Sequence, residues 1–89
     1  MIELGGNIKL ENFDDIDKGI LVVAKKMIGN YTKQISEKNT AFKEITVTKE
    51  GDNGIKIVCI CDKEIEEKAE EKSLLFSLGK VLDEVLKKC

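Results

Sequence analysis

The dipeptide Asn53-Gly54 stands between two runs rich in strand formers, one ending at Glu50 and one from Ile55 to Cys61, and it constrains the fold more than any other feature. Asn-Gly is the usual sequence of a tight hairpin, because both central positions of such a turn need positive φ. An antiparallel strand pair is therefore expected in the middle of the chain. The returning strand is apolar on both faces, with Ile55, Ile57, Cys59 and Cys61 on one and Val58 and Ile60 on the other. A strand of that kind is central and covered on both sides. Flanking segments have to supply the cover.

Two amphipathic helices are the expected cover for one face. For the first, Asn12 or Asp14 is the expected cap, with Asp14, Asp15 and Asp17 in the first turn, where carboxylates suit the positive end of the helix dipole. Ile16, Ile20, Val23, Ala24, Met27, Tyr31 and Ile35 then fall on one stripe at 3.6-residue spacing, and the helix runs to about Lys38 past an interruption at Gly29. For the last helix, Ser73 is the expected cap, and Leu74, Leu75, Leu78, Val81, Leu82, Val85 and Leu86 form the stripe. On this register Ile20→Asp and Leu82→Asp each bury an unpaired charge and unfold the chain.

Before the first helix, Met1 to Leu4 alternates, meets Gly5-Gly6-Asn7 and resumes at Ile8 and Leu10, the pattern of one strand with a bend or bulge at the glycines. The charged segment from Asp62 to Lys72 reads either as a helical lead-in or as a fourth strand. The strand is preferred, with Ile65 and Ala69 inward and the charges guarding an edge. The expectation is a single α+β domain over residues 1–89, in the order β-α-β-β-(β)-α. Its mixed sheet of three to four strands carries both helices on one face. Val58 and Ile60 then need a dimer contact or long side chains over them.

The chemistry is bounded by what is absent. All fifteen basic residues are lysine, and histidine, arginine and proline do not occur. Losing histidine removes the commonest general base and the commonest metal ligand, so an enzyme is not expected. No cofactor is expected either, because Gly5-Gly6-Asn7 matches neither a P-loop nor a dinucleotide fingerprint. Cys59 and Cys61 share one strand face and Cys89 is distant in sequence, so they read as core thiols rather than a four-ligand metal site. A net charge of −2 confines any polyanion contact to a local patch. No run approaches a membrane span, and the acidic start does not suit a signal peptide, so a cytoplasmic protein without membrane contact is expected.

One such patch is the first helix, where Lys18, Lys25, Lys26 and Lys33 gather within about 100° of arc. Lys80, Lys87 and Lys88 add cations on the last helix, while Phe76 falls off its apolar stripe and reads as packing at the edge of the sheet or, if exposed, as a partner contact.

The stretch from Gly5 to Ile16, GGNIKLENFDDI, resembles the opening of the ribosome-associated inhibitors and hibernation-promoting factors. Gly5 occupies the family glycine, and Asn7, Ile8 and Leu10 fit the pattern after it. The resemblance continues through Asn53-Gly54 and through Leu78, Leu82 and Val85. It implies a strand, helix, hairpin and closing helix, and contact with ribosomal RNA in the small subunit through basic residues. Two departures bear on that contact: Gly6 stands where a basic residue is expected, and arginine is missing, so phosphates would be met by point charges rather than bidentate forks. A second resemblance, to the double-stranded-RNA-binding domain, lacks that module's lysine cluster, since Ala69 to Ser73 reads AEEKS.

Two function classes follow. One is a non-enzymatic protein associated with ribosomal RNA or the small ribosomal subunit through the lysine face. The other is an interaction or dimerisation domain that makes a homodimer through the second face of the sheet, around Val58 and Ile60, with Phe76 as a further contact.

Overall fold

A computed structural model describes residues 2–4 and 7–89. Five strands and two helices follow one another as β1 (Ile2–Leu4), β2 (Ile8–Glu11), α1 (Lys18–Lys38), β3 (Glu44–Glu50), β4 (Gly54–Ile60), β5 (Glu64–Glu70) and α2 (Leu74–Lys88). The strands form one mixed sheet in sequence order. β2 and β3 are parallel, with Ile8 beside Ile45 and Leu10 beside Val47, and the other neighbours are antiparallel. A parallel pair needs a long crossover, which α1 supplies. The α+β class, the mixed sheet and the two helices agree with the sequence reading.

Strand alternation sorts the sheet into two faces. Ile8, Leu10, Ile45, Val47, Ile55, Ile57, Cys59 and Ile65 point to one side and are buried in a cluster with α1 and α2. Lys9, Glu11, Glu44, Thr46, Thr48, Lys56, Val58, Ile60, Glu64, Glu66 and Lys68 alternate with them on the side away from that cluster. The segment with two readings is the strand β5, with Ile65 buried and Ala69 packed on the core, and its glutamates occupy the sheet edge.

Three local expectations are corrected. The single opening strand is two strands, β1 and β2, paired antiparallel with Leu4 opposite Ile8; the bend or bulge placed at Gly5 and Gly6 lies outside the described residues. The hairpin turn is Gly51-Asp52-Asn53 rather than one centred on Asn53-Gly54, because Glu50 already pairs with Gly54. Gly51 supplies the positive φ of 68°. Gly54 is needed for another reason: a Cβ there would lie 2.4 Å from the Glu50 carbonyl oxygen. Lastly, Asp17 caps α1, accepting from the amides of Gly19 at 2.8 Å and Ile20 at 3.3 Å. Asp14 and Asp15 precede the helix instead of entering its first turn.

The later start accompanies a rotated core face on α1. Its buried residues are Ala24, Ile28, Thr32 and Ile35, with Leu21, Met27 and Tyr31 packed at the margin. Ile20 and Val23, expected inside, are 38% and 44% exposed. Ile20 to Ala24 is an unbroken apolar run, so two neighbouring stripes satisfy helical spacing, and packing against the sheet selects the one through Ala24 and Ile28. The Ile20→Asp expectation therefore falls, while Leu82 is fully buried and its expectation stands on that burial. The helix passes Gly29 without a break.

α2 follows the sequence reading. The Ser73 hydroxyl accepts from the Phe76 amide at 3.2 Å, and Leu74, Leu78, Val81, Leu82 and Val85 are buried. The helices run side by side, joined by the Tyr31 hydroxyl donating to Asp83 Oδ1 at 3.2 Å and by Lys38 Nζ donating to the Leu86 carbonyl at 2.8 Å. Met27 packs over Gly79 at this seam, its methyl 3.4 Å from where a Cβ would stand, an ordinary contact distance.

Candidate functional site

From Lys18 to Ser36, α1 carries four lysines and no acid. At about 100° per residue, Lys18, Lys25, Lys26 and Lys33 occupy one flank of the helix, while Met27 and Tyr31, the residues next to α2, lie on the other. Lys18, Lys26 and Lys33 are exposed and Lys25 is half-buried. At 1.5 Å per residue the row from Lys18 to Lys33 is roughly 22 Å long. No ion pair among the described residues engages any of these four lysines.

The three lysines of α2 are placed differently. Lys80 pairs with Glu71 at 3.0 Å, Lys87 with Glu84 at 3.8 Å, and Lys88 with Glu67, a contact that raises the lysine's pKa. Exposed pairs of this kind contribute little to stability. They nevertheless put a carboxylate beside each cation, which repels an incoming phosphate. The seven lysines thus divide into a free row on α1 and a neutralised set on α2. Only the Lys87–Glu84 pair, three residues apart on α2, follows from sequence spacing, because Glu67 and Glu71 reach α2 from β5 and the segment after it.

Val58 and Ile60 lie on the open face of the sheet, each half-buried. Val58 sits in a row with Lys9, Thr46 and Glu66, and Ile60 between Glu44 and Glu64. Ion pairs Lys9–Glu44 at 3.7 Å and Lys56–Glu66 at 3.9 Å lie beside them, and Thr48 Oγ1 donates to Glu11 Oε1 at 3.4 Å. Long charged side chains therefore partly cover the two apolar residues.

Phe76 is 65% exposed, on the side of α2 away from the sheet. It borders a shallow groove between the helices, of about 460 Å³, lined also by Tyr31, Leu75, Gly79, Lys80 and Asp83. Burial and the neighbouring Asp83 carboxylate push the Tyr31 hydroxyl pKa up, so it remains a donor to Asp83. Ile20, Val22 and Val23 add exposed apolar surface at the start of α1, and the 53% exposed Val22 is surrounded at helical spacing by Lys18, Lys25 and Lys26. Sequence reasoning missed Val22 as a surface residue. The lysines one turn to either side were the available signal.

No helix among the described residues is long and apolar enough to cross a membrane. No family model matches the sequence and no curated protein matches it. Among solved structures, the fold is similar to the N-terminal domain of Protein Y from Thermus thermophilus, with 9% identity and a TM-score of 0.58 over 91% of this chain and 90% of that one. At that identity the likeness concerns the fold, a strand–helix–meander–helix arrangement on a mixed sheet.

Proposed function

We propose that this protein is a non-enzymatic, cytoplasmic RNA-associated factor that docks on ribosomal RNA of the small subunit through the outer flank of α1. The observation that carries the reading is the row of Lys18, Lys25, Lys26 and Lys33, free of acids and of ion pairs among the described residues, on a chain whose net charge is −2. A protein with a slight negative charge approaches a polyanion only through such a concentrated patch. The resemblance of the opening segment and hairpin to the hibernation-promoting factors supports the same reading, as does the fold likeness to Protein Y. Because the α2 lysines already face carboxylates, α1 is the contact surface and Lys80, Lys87 and Lys88 stand outside it.

Cosedimentation with ribosomal subunits at low and raised salt tests this. Binding should weaken with salt and be abolished by charge reversal of Lys18, Lys25 and Lys33 together, while reversal of Lys80, Lys87 and Lys88 leaves most of it. Binding that ignores the α1 lysines, or none at low salt, rejects the reading.

A second reading, a protein-interaction or homodimer domain, draws on the exposed Phe76 rather than on Val58 and Ile60, whose charged neighbours make the open sheet face a poor apolar contact. Light scattering across a concentration series separates the two: a dimer that Phe76→Ser dissolves favours this reading, and a monomer throughout removes its homodimer form.

A further inference from the structure

Three of the chain's aromatic side chains are committed to the fold. Phe13 is buried, Phe42 packs at the margin of the core, and Tyr31 packs there too while donating to Asp83. Phe76 holds its ring open to solvent. Its place relative to the lysine row follows from the seam between the helices. Met27 lies against Gly79, Tyr31 against Asp83 and Lys38 against the Leu86 carbonyl, so α1 and α2 run parallel and advance together. On that register Phe76 stands level with Ala24, about 3 Å along the axis from Lys26. At about 100° per residue, Phe76 points roughly 175° away from the mean direction of the buried side chains of α2, and Lys26 and Lys33 roughly 165° and 145° away from that of α1. All three therefore leave the molecule on the side opposite the sheet. Packed helix axes stand about 8–10 Å apart, and the exposed Val23, one turn before Met27, lies between Lys26 and α2. The surface thus runs from a free cation, across an apolar strip, to an open aromatic ring.

We infer that Phe76 is a stacking platform for a base of single-stranded RNA whose phosphates follow the α1 lysines. The inference rests on the α1 reading above and names the class of RNA that the surface takes. A row of lysines by itself meets the phosphates of a duplex as readily as those of an unpaired strand. An open ring beside the row separates the two, because a duplex keeps its bases stacked inside, whereas an unpaired strand can splay a base onto an aromatic face. The charges set the direction in which the strand lies. Lys26 and Lys33 have no carboxylate partner among the described residues, while on α2 Lys80 is paired with Glu71 and Asp83 borders the groove beyond Phe76. Phosphates are therefore drawn to α1 and repelled from α2, and the bases extend sideways across Val23 to the ring. Every base has a π face, so such a site tolerates sequence and prefers bases that stack well.

Fluorescence anisotropy with the full chain at low salt tests this on three labelled probes: a short oligoadenylate, an abasic sugar-phosphate strand of the same length, and an RNA duplex. Phe76→Ala should weaken oligoadenylate binding roughly 5- to 150-fold, the loss of one stacked base, and leave the abasic strand, the duplex and the salt slope unchanged. Reversal of Lys18, Lys25 and Lys33 should weaken all three. The chain has no tryptophan, so Phe76→Trp adds a single reporter; its fluorescence should be quenched by oligoadenylate and not by the abasic strand, with affinity kept. The ring is exposed, so Phe76→Ala keeps the fold, and a melting temperature like the parent's checks that. Oligoadenylate binding equal to the parent's, or an equal loss on the abasic strand, overturns the stacking assignment and leaves the lysine reading standing. A parent that binds none of the three probes removes both. A parent dimer that Phe76→Ala dissolves in light scattering gives the ring to a second copy and overturns the assignment as well.

Discussion

Ile28→Ala, set beside Ile20→Ala, tests the rotation of α1, and with it the direction in which the lysine row points. Ile28 is fully buried in the face that α1 turns to the sheet, whereas Ile20 is 38% exposed. Replacing isoleucine by alanine removes about three carbons, worth roughly 2.4 kcal/mol at 0.8 kcal/mol per buried methylene, and an unfilled cavity brings the loss at Ile28 to about 3–4 kcal/mol. At Ile20 part of that surface is already wet and no cavity forms, so the loss is about 1 kcal/mol. For a chain this short, 1 kcal/mol shifts the melting temperature by about 4–8 °C, so Ile28→Ala should melt at least ~12 °C below the parent and Ile20→Ala within ~8 °C of it. Urea unfolding followed by circular dichroism gives the free energies directly, provided the slope with denaturant is unchanged. Equal losses at the two positions, or a larger one at Ile20, would refute the packing. α1 would then be turned so that the stripe through Ile20 and Val23 faces the sheet, carrying the lysines to a different side of the molecule.

Other outcomes follow from single features. Gly29→Ala should stabilise by about 1 kcal/mol, because nothing lies within 4 Å of its Cβ position in mid-helix, while Gly54→Ala should destabilise by roughly 1–3 kcal/mol against the Glu50 carbonyl; thermal melts of the pair check both signs. Cys59 binds its proton more tightly folded than unfolded, so its stabilising contribution is intact below about pH 9 and is lost as pH climbs toward about 12. Denaturation at stepped alkaline pH should show that decline, and Cys59→Ala should flatten it. If the four α1 lysines each meet one phosphate, the logarithm of the RNA binding constant should fall with log salt at a slope of about 3, near 60-fold between 50 and 200 mM, by the single-strand coefficient. A slope below 1 by fluorescence anisotropy would mean that the row makes no such contacts.

α2 was readable because Ser73, a strict leucine and valine stripe and flanking charges agree, leaving one register. α1 was less so: Ile20 to Ala24 offers apolar residues to more than half of the helix circumference, and only the neighbouring sheet and Met27 against Gly79 decide which face is buried. Three members of the lysine row, Lys18, Lys26 and Lys33, are exposed on either register, while Lys25 lies at the margin of the buried face and is half-buried. What could not be read was electrostatic context. Glu67 and Glu71 meet α2 through tertiary pairing, and Lys9, Glu44, Lys56 and Glu66 assemble beside Val58 and Ile60 only once four strands are in register.

The parallel pairing of β2 with β3 also sets an order in which the molecule can come apart. From β3 onward every strand pairs with its immediate successor through a short turn, and α2 packs back on β4 and β5. β1, β2 and α1 are held to this meander by a four-residue ladder, by the seam between the helices and by the buried face of α1 in the shared core. Closing the long loop through α1 costs chain entropy that the local hairpins do not incur. Amide hydrogen exchange should accordingly be faster in β2 and α1 than in β4, by a route that leaves the meander folded. The lysine row rides on the segment that opens first, so an RNA surface seated on α1 would report its occupancy as slower exchange in α1 and in the β2 strand that opens with it, leaving β4 unchanged.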